Sequence, residues 1–223
     1  MDSENSRTAG AAHRPLQIGD MAPDFRARTT MGEITLSNHR GRWVLLFSHP
    51  ADFTPVCTSE FVALSRAASR FEALNCDLVA LSVDSLYSHL GWIRAIREHF
   101  GVTVAFPIIE DTSLIVGRAY GMIAPDAPDA ATVRYCFFID PDGVIRATLC
   151  YPATIGRSVE ELLRVLAALQ RVDRDHVVTP EGWHPGDDVL LPPHPDHAAA
   201  LAAADQECWF HRTQPDNPET AAR

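Results

Sequence analysis

The hydrophobic residues of this chain fall first into short, unbroken apolar runs of the length that buried strands have. The run WVLLFS at 43–48 is the clearest of them, and it ends at a breaker segment, HPADF. Two later runs flank the turn sequence DPDG at 140–143, so they are predicted to form a β-hairpin. The other predicted strands, including the two arms of this hairpin, are 75–84, 105–111, 133–140 and 144–151.

Between these runs, apolar residues recur every three or four positions, which is the spacing of a helix with one buried face. The segment from Leu86 to Phe100 shows this spacing most regularly, and Gly101 is placed to end that helix. Further helices are predicted to follow Thr54, to run from Thr112 to Tyr120, and to begin at Ser158 with Glu161 completing a capping box. Strands that alternate with helices and then form a hairpin predict an α/β domain with a central mixed sheet flanked by helices.

The two ends of the chain differ in composition from this alternating region. Residues 1–14 are polar and are expected to form a disordered tail, whereas 15–178 hold all the predicted elements. The extension at 179–223 carries seven of the chain's 16 prolines and shows no long helical period, so it cannot build a core of its own. Its apolar residues would then need cover from elsewhere, and these are Trp183, Val189, Leu190 and Leu191 among others.

Composition and charge exclude several classes of function. The formal net charge is −10, and all 19 cationic residues are arginine, so no lysine is present for a phosphate-binding P-loop or a Schiff base. An acidic chain without a basic run is not expected to bind nucleic acid or anionic lipid. The N-terminus lacks the apolar segment of a signal peptide, and no run approaches the ~18 apolar residues of a membrane span. We therefore expect a cytoplasmic protein with no membrane contact.

The segment after the 43–48 strand places one cysteine at the start of a helix. Thr54 is a good N-cap residue and Pro55 fits the first helical position, which makes Cys57 the third residue of the helix. There the free N–H groups and the positive end of the helix dipole favour a thiolate over a thiol. Cys57 is thus a candidate nucleophile, although a free cysteine can equally be a small buried hydrophobe.

The residues around Cys57 resemble a known active-site motif. Pro50, Thr54 and Cys57 stand in the pattern P-x-x-x-T-x-x-C of the peroxiredoxins, and the longer string SHPADFTPVCTSE is similar to the peroxiredoxin-6, or 1-Cys, subfamily of the AhpC/TSA family. The resemblance continues in the same order along the chain, at 81–96, 106–111, 133–157 and 182–193. It implies a thioredoxin-like fold and peroxidase activity. It also implies a C-terminal dimerisation extension that wraps onto a partner subunit, which would cover the apolar residues of the extension.

The resemblance also implies roles for individual residues. Cys57 would attack the peroxide, Thr54 would bind the peroxide oxygens, and Pro50 would shield the site from water. Arg134 would supply the cation that a thiolate needs at neutral pH, although an arginine on an edge strand could instead reach solvent. The supporting residues would be Val56, through its backbone N–H, Glu60, which would orient an arginine, Arg157 near the site, and His49, which would either hydrogen-bond near Cys57 or close the loop.

The remaining cysteines and histidines are expected to be inert, with one exception. Cys76, Cys136 and Cys150 lie in predicted strands and are interpreted as core residues. Cys208, in the extension, could be a resolving thiol, although the 1-Cys pattern needs none. No C-x-x-C pair is present, which argues against a thioredoxin-type oxidoreductase. Five histidines late in the chain are expected to be solvated and not to bind a metal, namely His176, His184, His194, His197 and His211.

We therefore predict a thiol-dependent peroxidase of antioxidant defence and redox homeostasis that works through a Cys57 sulfenic acid, without cofactor or metal. Its expected partners are hydrogen peroxide or an organic hydroperoxide, a thiol reductant such as glutathione or a thioredoxin-like protein, and a second copy of the chain. An alternative hypothesis is a non-enzymatic redox sensor or holdase chaperone that uses the same oxidation of Cys57.

Overall fold

The computed structural model describes residues 14–123, 132–192 and 210–216. The predicted tail at 1–14 therefore lies outside the described residues, apart from Arg14, and so does Cys208. Most of the described chain forms one seven-stranded sheet with helices packed against it.

The sheet is mixed, as the sequence predicts. Its strands are β1 (Arg26–Thr29), β2 (Gly32–Thr35), β3 (Trp43–Ser48), β4 (Cys76–Ser82), β5 (Ile108–Glu110), β6 (Arg134–Ile139) and β7 (Ile145–Tyr151). They lie side by side in the order β2-β1-β5-β4-β3-β6-β7. The central strands β3, β4 and β5 are parallel, whereas β6 is antiparallel to β3 and forms the predicted hairpin with β7.

The helices begin and end largely where their sequence signals lie. They are α1 (Pro55–Ala73), α2 (Leu86–Phe100), α3 (Ile115–Ala119) and α4 (Val159–Asp175), with a 3₁₀ helix at Leu36–His39. Gly101 ends α2 in the left-handed conformation that glycine adopts most easily. The Ser158 hydroxyl accepts from the N–H of Glu161, but the Glu161 carboxylate pairs with Arg164 and not with the helix start. None of the helices in the described part of the chain has the length and apolar character needed to cross a membrane.

Three details differ from the sequence prediction. The strand β4 ends at Ser82 and not at Asp84. The helix α3 has five residues and begins only after Leu114, whose left-handed backbone delays the helix. The hairpin of β1 and β2 is absent from the prediction because its strands are short and half exposed, so hydrophobic residues do not mark them.

The alternation of side chains along β3 divides the core into two layers. Leu45 and Phe47 pack in one layer with residues of α1, α2 and α4, whereas Val44 and Leu46 pack in the other with residues of α3. Because β3 is buried on both faces, its sequence is a continuous apolar run and does not alternate between apolar and polar residues.

The parallel pairing of β3 and β4 fixes where α1 begins. A connection between parallel strands must cross over the sheet, so α1 starts beyond the carboxyl end of β3 and runs back toward the beginning of β4. The loop at 49–54 and the first turn of α1 therefore lie at the edge of the sheet where ligands bind in open α/β folds.

The described part of the extension folds back onto its own subunit. Trp183 and Val189 are buried against Ala167 and Ala168 of α4. The expectation that a partner subunit covers both residues is therefore wrong, because α4 of the same chain covers them. Two short strands complete this region, β8 (Val189–Leu190) and β9 (Thr213–Gln214).

Candidate active site

Cys57 is the third residue of α1, just after the chain leaves the carboxyl end of β3. Its side chain is fully buried. Thr54 occupies the N-cap position, but its hydroxyl donates to the Ala51 carbonyl oxygen at 2.8 Å instead of capping the helix. Among the described residues, no acceptor is bound to the N–H of Val56 or of Cys57, so both donors can face an anion at the helix start.

A buried guanidinium faces the sulfur of Cys57. Arg134 begins β6, and its Nη1 lies 3.3 Å from Cys57 Sγ. Arg134 is only 2% exposed, and its Nε and Nη2 donate to the Ala153 carbonyl oxygen at 3.1 and 2.6 Å. Because β6 lies between β3 and β7, the alternative of an edge-strand arginine that reaches solvent is wrong. The structure instead holds a fixed cation beside the thiol.

Glu60, one turn after Cys57 on α1, binds two arginines at once. Its Oε2 accepts from Arg134 Nη1 and from Arg157 Nη2, each at 2.8 Å. Its Oε1 accepts from the backbone N–H and the Nε of Arg157 at 2.7 and 2.8 Å. Arg157 also donates to the Tyr135 carbonyl oxygen at 2.8 Å. Glu60 therefore orients both guanidinium groups, which fits the role that the sequence suggests for it.

The charged groups around Cys57 carry an excess of one positive charge. Burial alone would raise the pKa of Glu60, but the hydrogen bonds and charge of Arg157, together with the charge of Arg134, hold that pKa below its usual value. Burial alone would lower the pKa of Arg157, but its contacts with Cys136 and Glu60 raise it above the usual value. Two guanidinium groups thus face one carboxylate, which leaves one positive charge beside the sulfur of Cys57.

The other predicted site residues lie in the loop before α1 and in its first turn. Pro50 and Val56 are both half-buried there. His49 is fully buried, and the hydroxyl of Thr132 donates to its carbonyl oxygen at 2.8 Å. No hydrogen bond joins His49 to Cys57 in the described structure, so the contacts of His49 favour the interpretation that it closes the loop.

Two further polar residues support this loop and are not among the predicted site residues: Asp52, which lies in the loop, and His89 of α2. The Asp52 carboxylate lies between the two imidazoles, 3.0 Å from His49 Nε2 and 2.8 Å from His89 Nδ1. One signal was available in the sequence, because His89 stands on the apolar face of α2, three residues after Leu86 and four before Ile93. A polar residue at such a position needs a buried partner.

The remaining cysteines are divided between the core and the surface. Cys76 and Cys136 are buried as predicted, and burial raises the pKa of both thiols, to about 12 for Cys76. Cys150 is exposed, so its assignment to the core is wrong: it lies on β7, the last strand of the sheet, where one face is open. Of the late histidines, the three that the structure describes are exposed, namely His176, His184 and His211.

Two family models match this chain. The AhpC/TSA family matches residues 18–148, and the C-terminal domain of 1-Cys peroxiredoxin matches residues 168–206. The chain is 49% identical to a peroxiredoxin of Thermoplasma volcanium, over 80% of this chain and 87% of that protein. It is 44% identical to peroxiredoxin 2 of Picrophilus torridus, over 90% of this chain and 100% of that protein.

Solved structures are similar over nearly the same length. A yeast mitochondrial 1-Cys peroxiredoxin superposes with a TM-score of 0.81 at 40% identity, covering 90% of this chain and 99% of that one. A mutant of peroxiredoxin 6 from Arenicola marina superposes with a TM-score of 0.79 at 30% identity, covering 91% and 99%.

The chain belongs to the AhpC/TSA family of peroxiredoxins and carries the C-terminal domain of the 1-Cys members. It has their thioredoxin-like fold and is a thiol-dependent peroxidase. The family, fold and activity predicted from the sequence are therefore confirmed, and the sensor or chaperone hypothesis is not favoured.

Proposed function

We propose that this peroxidase reduces hydrogen peroxide and organic hydroperoxides by direct attack of the Cys57 thiolate on the peroxide. The observation that carries the proposal is the contact of 3.3 Å between Arg134 Nη1 and Cys57 Sγ at a helix start with free N–H groups. A buried hydrophobe would have no need of such a cation.

In the proposed step, the sulfur forms a bond to the terminal oxygen of the peroxide while the O–O bond breaks. Cys57 becomes a sulfenic acid, and the other oxygen leaves as water or an alcohol after it takes up a proton. Negative charge moves from the sulfur to the oxygens during this step. Arg134 and the N–H groups of Val56 and Cys57 are placed to stabilise that charge, and donors held in a buried site stabilise it more strongly than water does.

Thr54 and Pro50 are proposed to complete the site. A hydroxyl that donates to the Ala51 carbonyl can still accept a hydrogen bond, so Thr54 can bind the O–H of the peroxide. Pro50 has no N–H of its own and, half-buried in the loop, would keep water from the thiolate. His49 and Arg157 are proposed to act by holding the loop and Glu60, without contact to the peroxide.

We propose that an external thiol resolves the sulfenic acid of Cys57. The thiol would displace the hydroxyl as water to form a mixed disulfide, and a second thiol would then release Cys57 in its reduced form. A similar yeast 1-Cys peroxiredoxin is resolved through glutathione and thioredoxin systems, which supports a donor of that class. Cys208 is the competing candidate, but the neighbouring Glu207 disfavours a thiolate there.

One equivalent of peroxide should produce a sulfenic acid at Cys57 that dimedone traps. Mass spectrometry under non-reducing conditions is expected to find the adduct on Cys57 and on no other cysteine. A Cys57–Cys208 disulfide that disappears in Cys208→Ser would contradict external resolution while leaving the peroxidase mechanism intact. Oxidation at another cysteine with Cys57 unmodified would contradict the proposed function itself.

A homodimer is proposed as the working assembly. Exposed apolar residues flank the site on three segments: Phe53 is 60% exposed, Ile155 52% and Val133 37%. A patch of this kind is typical of an interface. Light scattering of the full chain at several concentrations should give the mass of at least two copies, and a stable monomer would contradict the proposal. Deletion of 179–223 is expected to weaken the association.

The location and the domain boundary are also proposals. We propose a cytoplasmic location, because the four described cysteines are free thiols, as is usual in a reducing compartment. We place the peroxidase domain at 15–178 and the extension at 179–223. The end of α4 at Asp175 supports that boundary.

A further inference from the structure

Three buried side chains form a continuous link beneath the loop that precedes Cys57. Asp52 lies in this loop, between Pro50 and Thr54, and its carboxylate binds His49 on one side and His89 of α2 on the other. His49 and His89 are fully buried, and the Asp52 side chain is only 1% exposed. The link thus joins the loop to a helix that carries none of the proposed catalytic residues.

The hydrogen bonds hold the Asp52 carboxylate from both sides. His89 Nδ1 lies 2.8 Å from Asp52 Oδ2, and its Nε2 lies 3.3 Å from the Ile109 carbonyl oxygen, so both nitrogens of the ring face oxygen atoms. Burial lowers the pKa of His49, which favours a neutral ring that donates to Asp52 through Nε2. The link therefore ties the loop to α2 and, through Ile109, to β5.

The same three residues could in principle ligate a metal, since their donor atoms all lie within 4.8 Å of one another. Their contacts argue against it, because each imidazole points at a different carboxylate oxygen at hydrogen-bond distance. In addition, a metal-bound histidine normally donates its other N–H to an acceptor, whereas His49 Nδ1 is buried without a partner.

The backbone next to Asp52 is strained. Phe53 has a φ of 55°, a left-handed conformation that is unfavourable for a bulky residue. Such a conformation persists only where neighbouring contacts impose it. Asp52 supplies these contacts through its carboxylate and through its N–H, which donates to Asp84 Oδ2 at 2.9 Å. The residue that follows the strained one is Thr54, whose hydroxyl is proposed to bind the peroxide.

We propose that the Asp52–His89 pair is a positioning device that holds the Pro50–Thr54 loop, and with it the Thr54 hydroxyl, in the geometry required for peroxide attack. This inference rests on the proposed roles of Cys57 and Thr54. His89 touches no reacting atom, so it is a positioning residue. Loss of its bond to Asp52 frees the loop to relax at Phe53 and moves Thr54 away from the peroxide, while Arg134 and Cys57 keep their contact.

Two substitutions of His89 distinguish the effect of losing the bond to Asp52 from the effect of losing the imidazole ring. In His89→Asn the amide nitrogen takes the place of Nδ1 and can still donate to Asp52. In His89→Gln the amide nitrogen takes the place of Nε2, so the contact with Ile109 is kept and the one with Asp52 is lost. We expect His89→Gln to reduce peroxide about ten to a hundred times more slowly, as small misplacements of reacting groups do. His89→Asn should stay close to the wild-type rate.

The iodoacetamide reactivity of each cysteine, read by mass spectrometry, shows whether the fold is intact. In His89→Gln, Cys57 should be alkylated at least as fast as in the wild type, because its thiolate contacts are unchanged, and Cys76 and Cys136 should stay protected. The matched control is His39→Gln, which breaks a similar contact of 2.7 Å between His39 Nδ1 and Asp77 at the opposite end of β3, and should leave the rate unchanged.

Equal rates for the two His89 variants, or a wild-type rate in His89→Gln, would overturn the positioning role. So would a metal ion that co-purifies with the wild type and is lost from His89→Asn. An inactive Cys57→Ser protein measured in parallel shows that the proposed function stands even if the positioning role does not.

Discussion

Cys57→Ser is expected to abolish peroxide reduction, with a loss of at least about 10³-fold in rate, as for other enzymes that lose their nucleophile. A serine hydroxyl fits the same space, so the Glu60–Arg134–Arg157 cluster remains paired and the fold should be retained. The hydroxyl is neutral at pH 7 and cannot accept oxygen from the peroxide. The measurement is peroxide consumption with an excess of dithiol as the electron donor.

The controls for this experiment are Cys76→Ser and Cys150→Ser. Cys76 lies in the core at the start of β4, and Cys150 lies on the exposed face of β7, so neither can act on a peroxide held at Cys57. Both variants should keep most of the activity. Cys136 is a poorer control because its sulfur accepts from Arg157 Nη1 at 3.4 Å. Substantial turnover by Cys57→Ser would refute the assignment of the nucleophile.

Arg134→Met should slow peroxide reduction by about 10²-fold or more, the effect that removal of a single charge-stabilising donor has in other buried sites. The substitution keeps an unbranched apolar side chain in place of the arginine's methylene groups but removes the cation that lies 3.3 Å from Cys57 Sγ. Glu60 remains paired with Arg157, so no buried carboxylate is left without a partner. Alkylation of Cys57 at pH 7 should slow as well, because less of the thiol is ionised.

The matched control is Arg70→Met, which removes an exposed arginine that pairs with Glu160 through two hydrogen bonds. Exposed pairs of this kind contribute little to stability, so neither the rate of peroxide reduction nor the rate of Cys57 alkylation should change. Arg134→Lys should fall between the wild type and Arg134→Met, because it keeps the charge but loses the planar fork that reaches Glu60 and Ala153 together. A wild-type alkylation rate in Arg134→Met would show that Arg134 does not stabilise the thiolate.

The parts of the site predicted correctly are those that local sequence specifies. The apolar run before HPADF, together with Thr54 and Pro55, places Cys57 at the third position of α1, and these signals depend only on neighbouring residues. The family resemblance predicts Arg134, and the structure places its guanidinium beside Cys57 Sγ. From spacing alone, an arginine at the start of a strand is equally consistent with an exposed edge, and only the strand order shows that β6 is internal.

The parts that were missed depend on contacts between distant segments. Asp52 and His89 are 37 residues apart, and no short sequence pattern around either residue predicts that their side chains are in contact. The Thr54 hydroxyl could cap the helix or donate to the Ala51 carbonyl oxygen. The local sequence places Thr54 at the N-cap position in both cases, so it does not distinguish the two contacts. A strand position predicts a buried Cys150, because strand residues are often buried. However, β7 lies at the edge of the sheet, and sequence alone does not reveal which strand is outermost.

The central claim is that the protein accelerates attack on a peroxide and does not merely ionise a thiol. Rapid-quench mass spectrometry of the reduced protein can measure two rates at Cys57 at pH 7, oxidation by hydrogen peroxide and alkylation by iodoacetamide. Relative to a small-molecule thiolate, peroxide oxidation should be faster by at least about 10³-fold, since several donors stabilise charge on the oxygens, whereas alkylation should show no comparable acceleration. Equal effects on both reactions would contradict the account, because the site would then supply only a reactive thiolate.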